Sequence, residues 1–136
     1  MNEEKRRDLL QQITTWAEKY NLGDEDWVEE NFEFNDDGSV ICNTDLELNS
    51  MTEPDFPESI KYVLGSLYLD GLTSAEGLEL PDEIECLSLD GLTSAEGLDL
   101  TNLDASTYVH LYKMPYEEKQ KLLKKYPNLR AGIGFY

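Results

Sequence analysis

Hydrophobic positions recur along the middle of this chain with a period of about twenty residues. The string LDGLTSAEGL occurs twice without a mismatch, at Leu69–Leu78 and at Leu89–Leu98. Around it, four stretches share a pair of apolar residues separated by one other residue: Leu46/Leu48, Leu67/Leu69, Leu87/Leu89 and Val109/Leu111. Another apolar residue follows each pair three positions later: Met51, Leu72, Leu92 and Met114. This period is typical of a solenoid, in which each repeat buries its apolar edge by stacking on its neighbours.

Each apolar pair predicts a short strand, and successive strands are expected to stack in parallel about 4.8 Å apart. The pair points into the core, while the residue between its members points outward. Gly71 and Gly91 are expected to let the chain turn sharply after the strand. The TSAE strings that follow, 73–76 and 93–96, fit a capping box that would close a single helical turn, and a glycine follows each of them.

The chain is expected to return to the next strand through short segments that begin with proline in two cases. These are Pro57–Ile60 and Pro81–Ile84, with Ile60 and Ile84 as inward anchors. The third return, Thr101–Asp104, lacks the proline. Imperfect outer repeats are expected, since the end of a stack has solvent on one side.

The N-terminal segment predicts two helices and a hairpin. Apolar residues between positions 3 and 20 fall on one helical face: Leu9, Leu10, Ile13, Trp16, Ala17 and Tyr20. Asn2 is the expected N-cap and Gly23 the expected stop. A second helix is expected to start at Asp24, with Trp27, Val28 and Asn31 facing inward. Strand formers at 32–34 and 40–42 then flank an Asp-Gly turn, which is a strong hairpin signal.

The C-terminal segment predicts a basic amphipathic helix from Pro115 to Tyr126. Its expected inward residues are Tyr116, Leu122, Leu123 and Tyr126. Pro127 should stop it, and a final strand or tail would contain Leu129, Ile133, Phe135 and Tyr136. The pattern as a whole predicts one domain, 1–136, of α/β class. We expect a short solenoid with a small parallel sheet, made of a helical N-cap (1–31), a hairpin (32–45), repeats (46–114) and a C-terminal cap helix and tail (115–136).

Charge adds a strong asymmetry to this picture. The formal net charge is −18. Between Tyr20 and Asp104 there are 23 carboxylates and one base, Lys61, whereas the two ends together carry 6 carboxylates and 10 bases. Such a body attracts basic surfaces and repels phosphates and anionic lipid, which disfavours direct binding of nucleic acid or a membrane. The alternative is that the acidic surface serves only solubility.

Cys42 and Cys86 are the only cysteines and have no metal-ligand or redox spacing. The N-terminus carries charge where a signal peptide needs an apolar run, and no segment approaches membrane-spanning length. The sequence therefore predicts a cytoplasmic protein with two reduced thiols, although a disulfide between them stays open.

The segment GLTSAEGLELPDEIECLSLDGLTSAEGLDL resembles the leucine-rich-repeat-like arrays of about twenty residues found in bacterial and phage proteins. Similar arrays often end in a helix followed by a Tyr-Pro-Asn-Leu stretch, as in EEKQKLLKKYPNL (Glu117–Leu129), and FEFNDDGSVICNTDLELNSM resembles their opening hairpin. The resemblance covers about Phe32 to Leu129. It implies a repeat solenoid used as a protein-binding scaffold and no shared catalytic motif. With about four repeats, the exposed sheet should be small and fairly flat.

The outward strand residues are expected to form two columns across the sheet: Glu47, Tyr68, Ser88 and His110 in one, and Asn49, Asp70, Asp90 and Tyr112 in the other. The exposed strand face is the usual binding surface of a solenoid, and Tyr side chains are enriched at binding hot spots. The predicted partner-binding residues are Glu47, Tyr68, Asp70, Asp90, His110 and Tyr112. The alternative is that these side chains only pair with their cross-strand neighbours.

Asp70 and Asp90 should be close neighbours on adjacent strands. Together with Asn49 they could share a cation such as Ca²⁺, but the ligands are too few and no calcium-loop motif is present. Bonding to the backbone of the following turn is the favoured alternative.

Catalytic chemistry is not predicted. His110 is the single histidine, so a zinc site would need both unrelated cysteines. A Ser88/His110 pair on an open sheet lacks oxyanion donors and a shielded cleft. The sequence predicts no enzyme, no cofactor and no metal.

Three hypotheses for function follow. The first is a non-catalytic protein-interaction module that binds a protein with a basic surface. The second is a phage-type acidic mimic of nucleic acid that inhibits a nuclease or a bacterial defence complex of the CRISPR kind, since its carboxylates repeat as phosphates do. The third is a structural protein that forms homo-oligomers.

Overall fold

The repeats stack into a small α/β solenoid of about three turns. The computed structural model describes residues 2–103 and 107–127. Within them lie helices α1 (Glu3–Lys19), α2 (Glu25–Asn31) and α3 (Tyr116–Lys125). The strands are β1 (Phe32–Phe34), β2 (Val40–Cys42), β3 (Leu46–Glu47), β4 (Ile60–Tyr68), β5 (Glu83–Ser88) and β6 (Tyr108–His110).

The strands form one mixed sheet in the order β1-β2-β4-β5-β6, with β3 also paired to β4. β1 and β2 form the expected antiparallel hairpin, and the other pairs are parallel. Leu67 pairs with Leu46 on one side and with Leu87 on the other, and Leu87 pairs with Val109. All four are fully buried, so the register predicted from the apolar pairs is confirmed.

The strands extend further toward the N-terminus than the sequence pattern predicts. Ile60 and Ile84 are buried, as expected, but they lie inside β4 and β5 rather than in separate return segments. Ile84 pairs with Val63, and the register shifts between Val63 and Ser66. The second strand of the hairpin also belongs to the parallel sheet, because Val40 pairs with Ile60. The first turn of the solenoid thus includes part of the 32–45 segment.

The TSAE strings do not form the predicted capped helical turn. Ser74 Oγ, rather than the Thr73 hydroxyl, accepts a hydrogen bond of 3.2 Å from the Glu76 amide. A tight turn follows, in which the Leu78 amide donates to the Ala75 carbonyl at 3.0 Å and Gly77 has φ +82°. The buried residues of this segment recur at every third position, a spacing shorter than the 3.6 residues of an α-helical turn.

Gly71 and Gly91 are required by close packing rather than by an unusual backbone conformation. A Cβ atom at Gly71 would lie 2.2 Å from the Asn49 carbonyl oxygen, and one at Gly91 would lie 2.3 Å from the Asp70 carbonyl oxygen. Both contacts are to the backbone of the preceding turn. The glycines therefore set the distance at which successive turns stack.

The cap of α1 at Asn2 is confirmed, since its Oδ1 atom accepts a hydrogen bond of 2.8 Å from the Lys5 amide. The predicted stop at Gly23 is wrong. The helix ends at Lys19, Asn21 adopts the left-handed conformation (φ 57°), and the Leu22 amide returns to the Ala17 carbonyl at 2.9 Å. Asparagine tolerates this conformation, which closes the helix two residues before the glycine.

α1 packs on the segment between β3 and β4 through an aromatic and ionic contact. Trp16 Nε1 donates to the Asp55 carbonyl at 2.7 Å, and its ring meets Phe56 edge-on at 5.4 Å. The Asp55 carboxylate accepts hydrogen bonds from Lys19 (2.7 Å) and Tyr20 (2.6 Å). The hydrogen bond from Lys19 and that from Tyr20 lower the pKa of Asp55. These contacts attach the N-terminal helix to the solenoid.

α2 begins at its expected cap, because Asp24 Oδ1 accepts a hydrogen bond of 3.0 Å from the Trp27 amide. Val28 is buried, and the Trp27 ring packs against Phe32 at 5.7 Å. The helix therefore leads directly into the hairpin.

α3 covers the other end of the core with the side chains Lys119, Leu122 and Leu123, followed by Tyr126. The prediction that Tyr116 faces inward is wrong, since its side chain is 68% exposed. Tyr116 and Glu117 at the start of the helix are exposed, whereas Glu118 and Lys119 of the same turn lie against the solenoid. The predicted strand or tail around Leu129, Ile133, Phe135 and Tyr136 lies outside the described residues, as does Asp104.

Candidate functional site

The outward residues of β3 to β6 form a column across the sheet, as the repeat pattern predicts. Tyr68 pairs with Glu47 and with Ser88, and Ser88 pairs with His110. We call the surface that bears this column and its neighbours the outer face. Tyr68 and His110 are half-buried and Glu47 is exposed, whereas Ser88 is buried. The structure thus brings these predicted site residues together.

The second column is joined by a ladder of hydrogen bonds from backbone to side chain. Asn49 Oδ1 accepts from the Asp70 amide at 2.9 Å, and Asp70 Oδ1 accepts from the Asp90 amide at 2.8 Å. Asp90 Oδ1 accepts in turn from the Tyr112 amide, also at 2.8 Å. Ser88 Oγ adds a hydrogen bond of 2.6 Å to Asp70 Oδ1. Each acidic or amide side chain therefore fixes the next turn of the solenoid.

This ladder bears on the two alternatives for Asp70 and Asp90. Their carboxylates accept hydrogen bonds from backbone amides, as the favoured alternative expected. The amides are those of Asp90 and Tyr112 in the next repeat, however, and not those of the tight turn that directly follows each aspartate. In the parts of the chain that the structure describes, no group of three or more His, Cys, Asp or Glu residues is placed to hold a metal ion. The two aspartates have a structural role, and contact with a partner stays a prediction for them.

Aromatic side chains concentrate at the β6 end of the outer face. Tyr112 is 67% exposed, one of the most exposed large side chains among the described residues. The rings of Tyr108 and His110 are in contact, with centroids 4.8 Å apart and a tilt of 49°. An exposed tyrosine beside a tyrosine–histidine pair gives apolar area with polar groups at its edges, which suits protein recognition.

A third outward column was missed by the sequence analysis. Ser66 pairs with Cys86, and Cys86 pairs with Tyr108. Asp45 precedes this column and accepts a hydrogen bond of 2.7 Å from the Ser66 amide through Oδ1. The available signal was strand alternation, because each member lies two residues before a member of the first column.

Both cysteines are free thiols. Cys42 is buried, and burial raises the pKa of its thiol to about 11. Cys86 is half-buried on the outer face, and burial raises its pKa as well. A raised pKa lowers the thiolate fraction at neutral pH, so neither thiol has the character of a reactive cysteine.

The carboxylates of the acidic stretch lie mainly at the surface. Within the described ranges, the ion pairs that reach it from outside are Arg6 with Glu29 at 4.0 Å and Lys19 with Asp55 at 2.7 Å, and both bases belong to α1. Glu47, Glu58, Glu79 and Glu85 are exposed side chains of the solenoid itself. The solenoid therefore presents negative charge around the outer face and on its return segments.

Comparison with protein-family models, with curated proteins and with solved structures finds no match for this chain. Among residues 2–103 and 107–127, no helix combines the length and the apolar character needed to cross a bilayer.

Proposed function

We propose that this chain is a non-catalytic protein-interaction module that binds a basic surface of another protein through the outer face. The observation that carries the proposal is the alignment of Tyr68 and His110 in one column, with the exposed Tyr112 beside it. Rigid parallel strands fix the spacing of these side chains, so binding would order few flexible groups. Exposed carboxylates around the face would steer a basic partner toward it.

The predicted contact residues would contribute to binding in different ways. Tyr68, His110 and Tyr112 would supply packing area, and Glu47 would supply charge. Asp70 and Asp90 would contribute through the carboxylate oxygens that the ladder leaves available. Their main effect on binding would be indirect, because they hold Tyr112 and the strands in place.

The repeat type and the location of the protein belong to the same proposal. We take the repeats as leucine-rich-repeat-like because leucines at a recurring spacing form a parallel stack. The proposed bacterial or phage origin rests on the resemblance of the repeat strings. Two free thiols suit a reducing compartment such as the cytoplasm.

The experiment is a capture assay with the tagged protein and its variant Tyr68→Ala/Tyr112→Ala. The matched control is Tyr116→Ala, which removes an equally exposed tyrosine outside the outer face. The proposal expects a discrete protein to be captured by the wild type and the control and to be lost with the double variant. Equal capture by all three proteins would refute the role of the outer face.

A second candidate function is the acidic mimic of nucleic acid that inhibits a nuclease or a defence complex. It is favoured by the repetition of carboxylates at equivalent positions of successive turns, as in Glu76 and Glu96 or Glu79 and Asp99. This function expects DNA or RNA to compete with the chain for its partner and the affinity to fall steeply with salt. An affinity that changes little between low and high salt would exclude it.

A further inference from the structure

The side of the solenoid where the chain enters its strands contains a groove with a cavity volume of about 270 Å³. Three successive turns line it, through Glu58 in the first, Glu79 and Asp82 in the second, and Asn102 in the third. The groove results from the stacking of turns, since the Asp82 amide donates a hydrogen bond of 2.8 Å to the Lys61 carbonyl and so aligns the segment before β5 with the start of β4. It is separate from the outer face described above.

The floor and the rim of this groove differ in chemistry. Ile60, Leu78 and Leu103 are buried beneath it and Leu80 is half-buried. Glu58, Glu79 and Asp82 on the rim are exposed. Pro57 and Leu80, both half-buried, give the apolar surface that stays accessible between these carboxylates. Such a groove fits an alkyl chain that ends in a positive charge, because the methylenes cover Pro57 and Leu80 while the charged group stays at the rim.

Two charged residues that line the groove, Asp99 and Lys61, are not free to bind a cation. The Asp99 carboxylate accepts hydrogen bonds from Thr101, which lower its pKa, so this group is already engaged within its own turn. Lys61 is the one base of the acidic stretch and lies on the wall of the groove. Its positive charge lowers the net negative charge of the lining, and Glu58, Glu79 and Asp82 are the exposed carboxylates that would meet an incoming cation.

We propose that this groove receives lysine or arginine side chains of the basic protein that the chain binds. The inference rests on the proposed function and adds a second contact surface, on the strand-entry side. The volume is slightly below the range of about 300–1,000 Å³ typical of small-molecule sites, which favours side chains over a bulky cofactor. Paired with carboxylates of two successive turns, such side chains would fix the orientation of the partner.

The test uses octalysine as the probe, with isothermal titration calorimetry on the full chain at low salt. The groove variant is Glu79→Gln/Asp82→Asn, and the control is Asp26→Asn/Glu30→Gln on α2, which removes the same charge from exposed positions. The groove variant is expected to weaken binding about tenfold, and the control less than about twofold. Equal weakening by the two variants would overturn the proposal, because attraction would then follow net charge alone.

Amide chemical shifts provide the second readout. Octalysine is expected to perturb the amides of residues 58, 79, 82 and 102, whereas perturbations confined to the outer face would overturn the groove. Failure of the groove is distinguishable from failure of the proposed function. If a partner is lost with Tyr68→Ala/Tyr112→Ala but retained fully by the groove variant, the outer face stands and the groove does not.

Discussion

The Oδ1 atom of Asp70 accepts a hydrogen bond of 2.8 Å from the backbone amide of Asp90, the residue at the equivalent position of the next turn. The same relationship joins Asn49 to Asp70 and Asp90 to Tyr112. The side chain of Tyr112 has no carbonyl or carboxylate oxygen to continue the series, so the ladder ends where the sheet ends. The side chains that looked like candidate ligands are thus the ones that hold the turns in register.

Substitution of Asp70 tests this ladder. In Asp70→Ala the Asp90 amide loses its acceptor and the Ser88 hydroxyl keeps only its longer bond of 3.4 Å to Asp90 Oδ2, so we expect the free energy of unfolding to fall by about 1–3 kcal/mol. Asp70→Asn keeps a carbonyl oxygen, as Asn49 does naturally, and should lose less than about 1 kcal/mol. Urea unfolding of the two variants measures the difference. Equal losses would show that the acceptor geometry is not what matters.

Substitution of Gly71 tests the close stacking of turns. A methyl group in Gly71→Ala would collide with the Asn49 carbonyl oxygen, which belongs to the backbone and cannot move alone, so we expect a loss of about 3 kcal/mol. The control is Gly77→Ala, where the space is open and only the positive φ is unfavourable, with a loss of about 1–2 kcal/mol. Thermal or urea unfolding would contradict the account if Gly77→Ala were the more damaging change.

The contact of α1 with Asp55 predicts a pH dependence. Hydrogen bonds from Lys19 and Tyr20 lower the pKa of Asp55 from its ordinary value of 3.8, so the folded state favours the carboxylate. Its contribution is therefore present above about pH 4 and is lost as the pH falls through the lowered value. The stability of Asp55→Asn should decline less between pH 5 and pH 2.5 than that of the wild type. Glu53→Gln, at an exposed position nearby, serves as the control and should follow the wild type.

The attachment of α3 is testable at a single amide. Glu118 Oε1 accepts hydrogen bonds of 3.1 Å from the Ala95 amide and the Ser94 hydroxyl. In Glu118→Ala the Ala95 amide should exchange with deuterium faster than in the wild type, while Glu117→Ala, an exposed neighbour, leaves its exchange unchanged. Unchanged exchange in Glu118→Ala would mean that the helix is not held by this contact.

Repetition made much of the sheet predictable. The register of Leu46, Leu67, Leu87 and Val109 follows from the apolar pairs, because a one-residue slip would turn every leucine to the solvent. The hairpin and the caps at Asn2 and Asp24 follow from local chemistry in the same way. In these cases the short-range signal and the buried pattern agree.

The predictions from sequence fail where packing against another element decides the structure. The TSAE string satisfies the rule for a capping box, but the burial of Ala75 and Leu78 requires a tight turn. Tyr116 continues the apolar stripe of α3, but its side chain is exposed at the start of the helix, while Glu118 and Lys119 make the contacts of that turn with the solenoid. The groove between Glu58, Glu79 and Asp82 joins residues from different turns, and the sequence gives no local mark for it.

The central claim is that the outer face binds a protein with a basic surface. The most direct measurement is capture from bacterial lysate at low and high salt, read by mass spectrometry, with the wild type, Tyr68→Ala/Tyr112→Ala and Tyr116→Ala in parallel. The account predicts one enriched protein with a basic surface that the wild type and Tyr116→Ala retain and the double variant loses. Equal retention by all three proteins, or capture of nothing by the wild type at low salt, would contradict it.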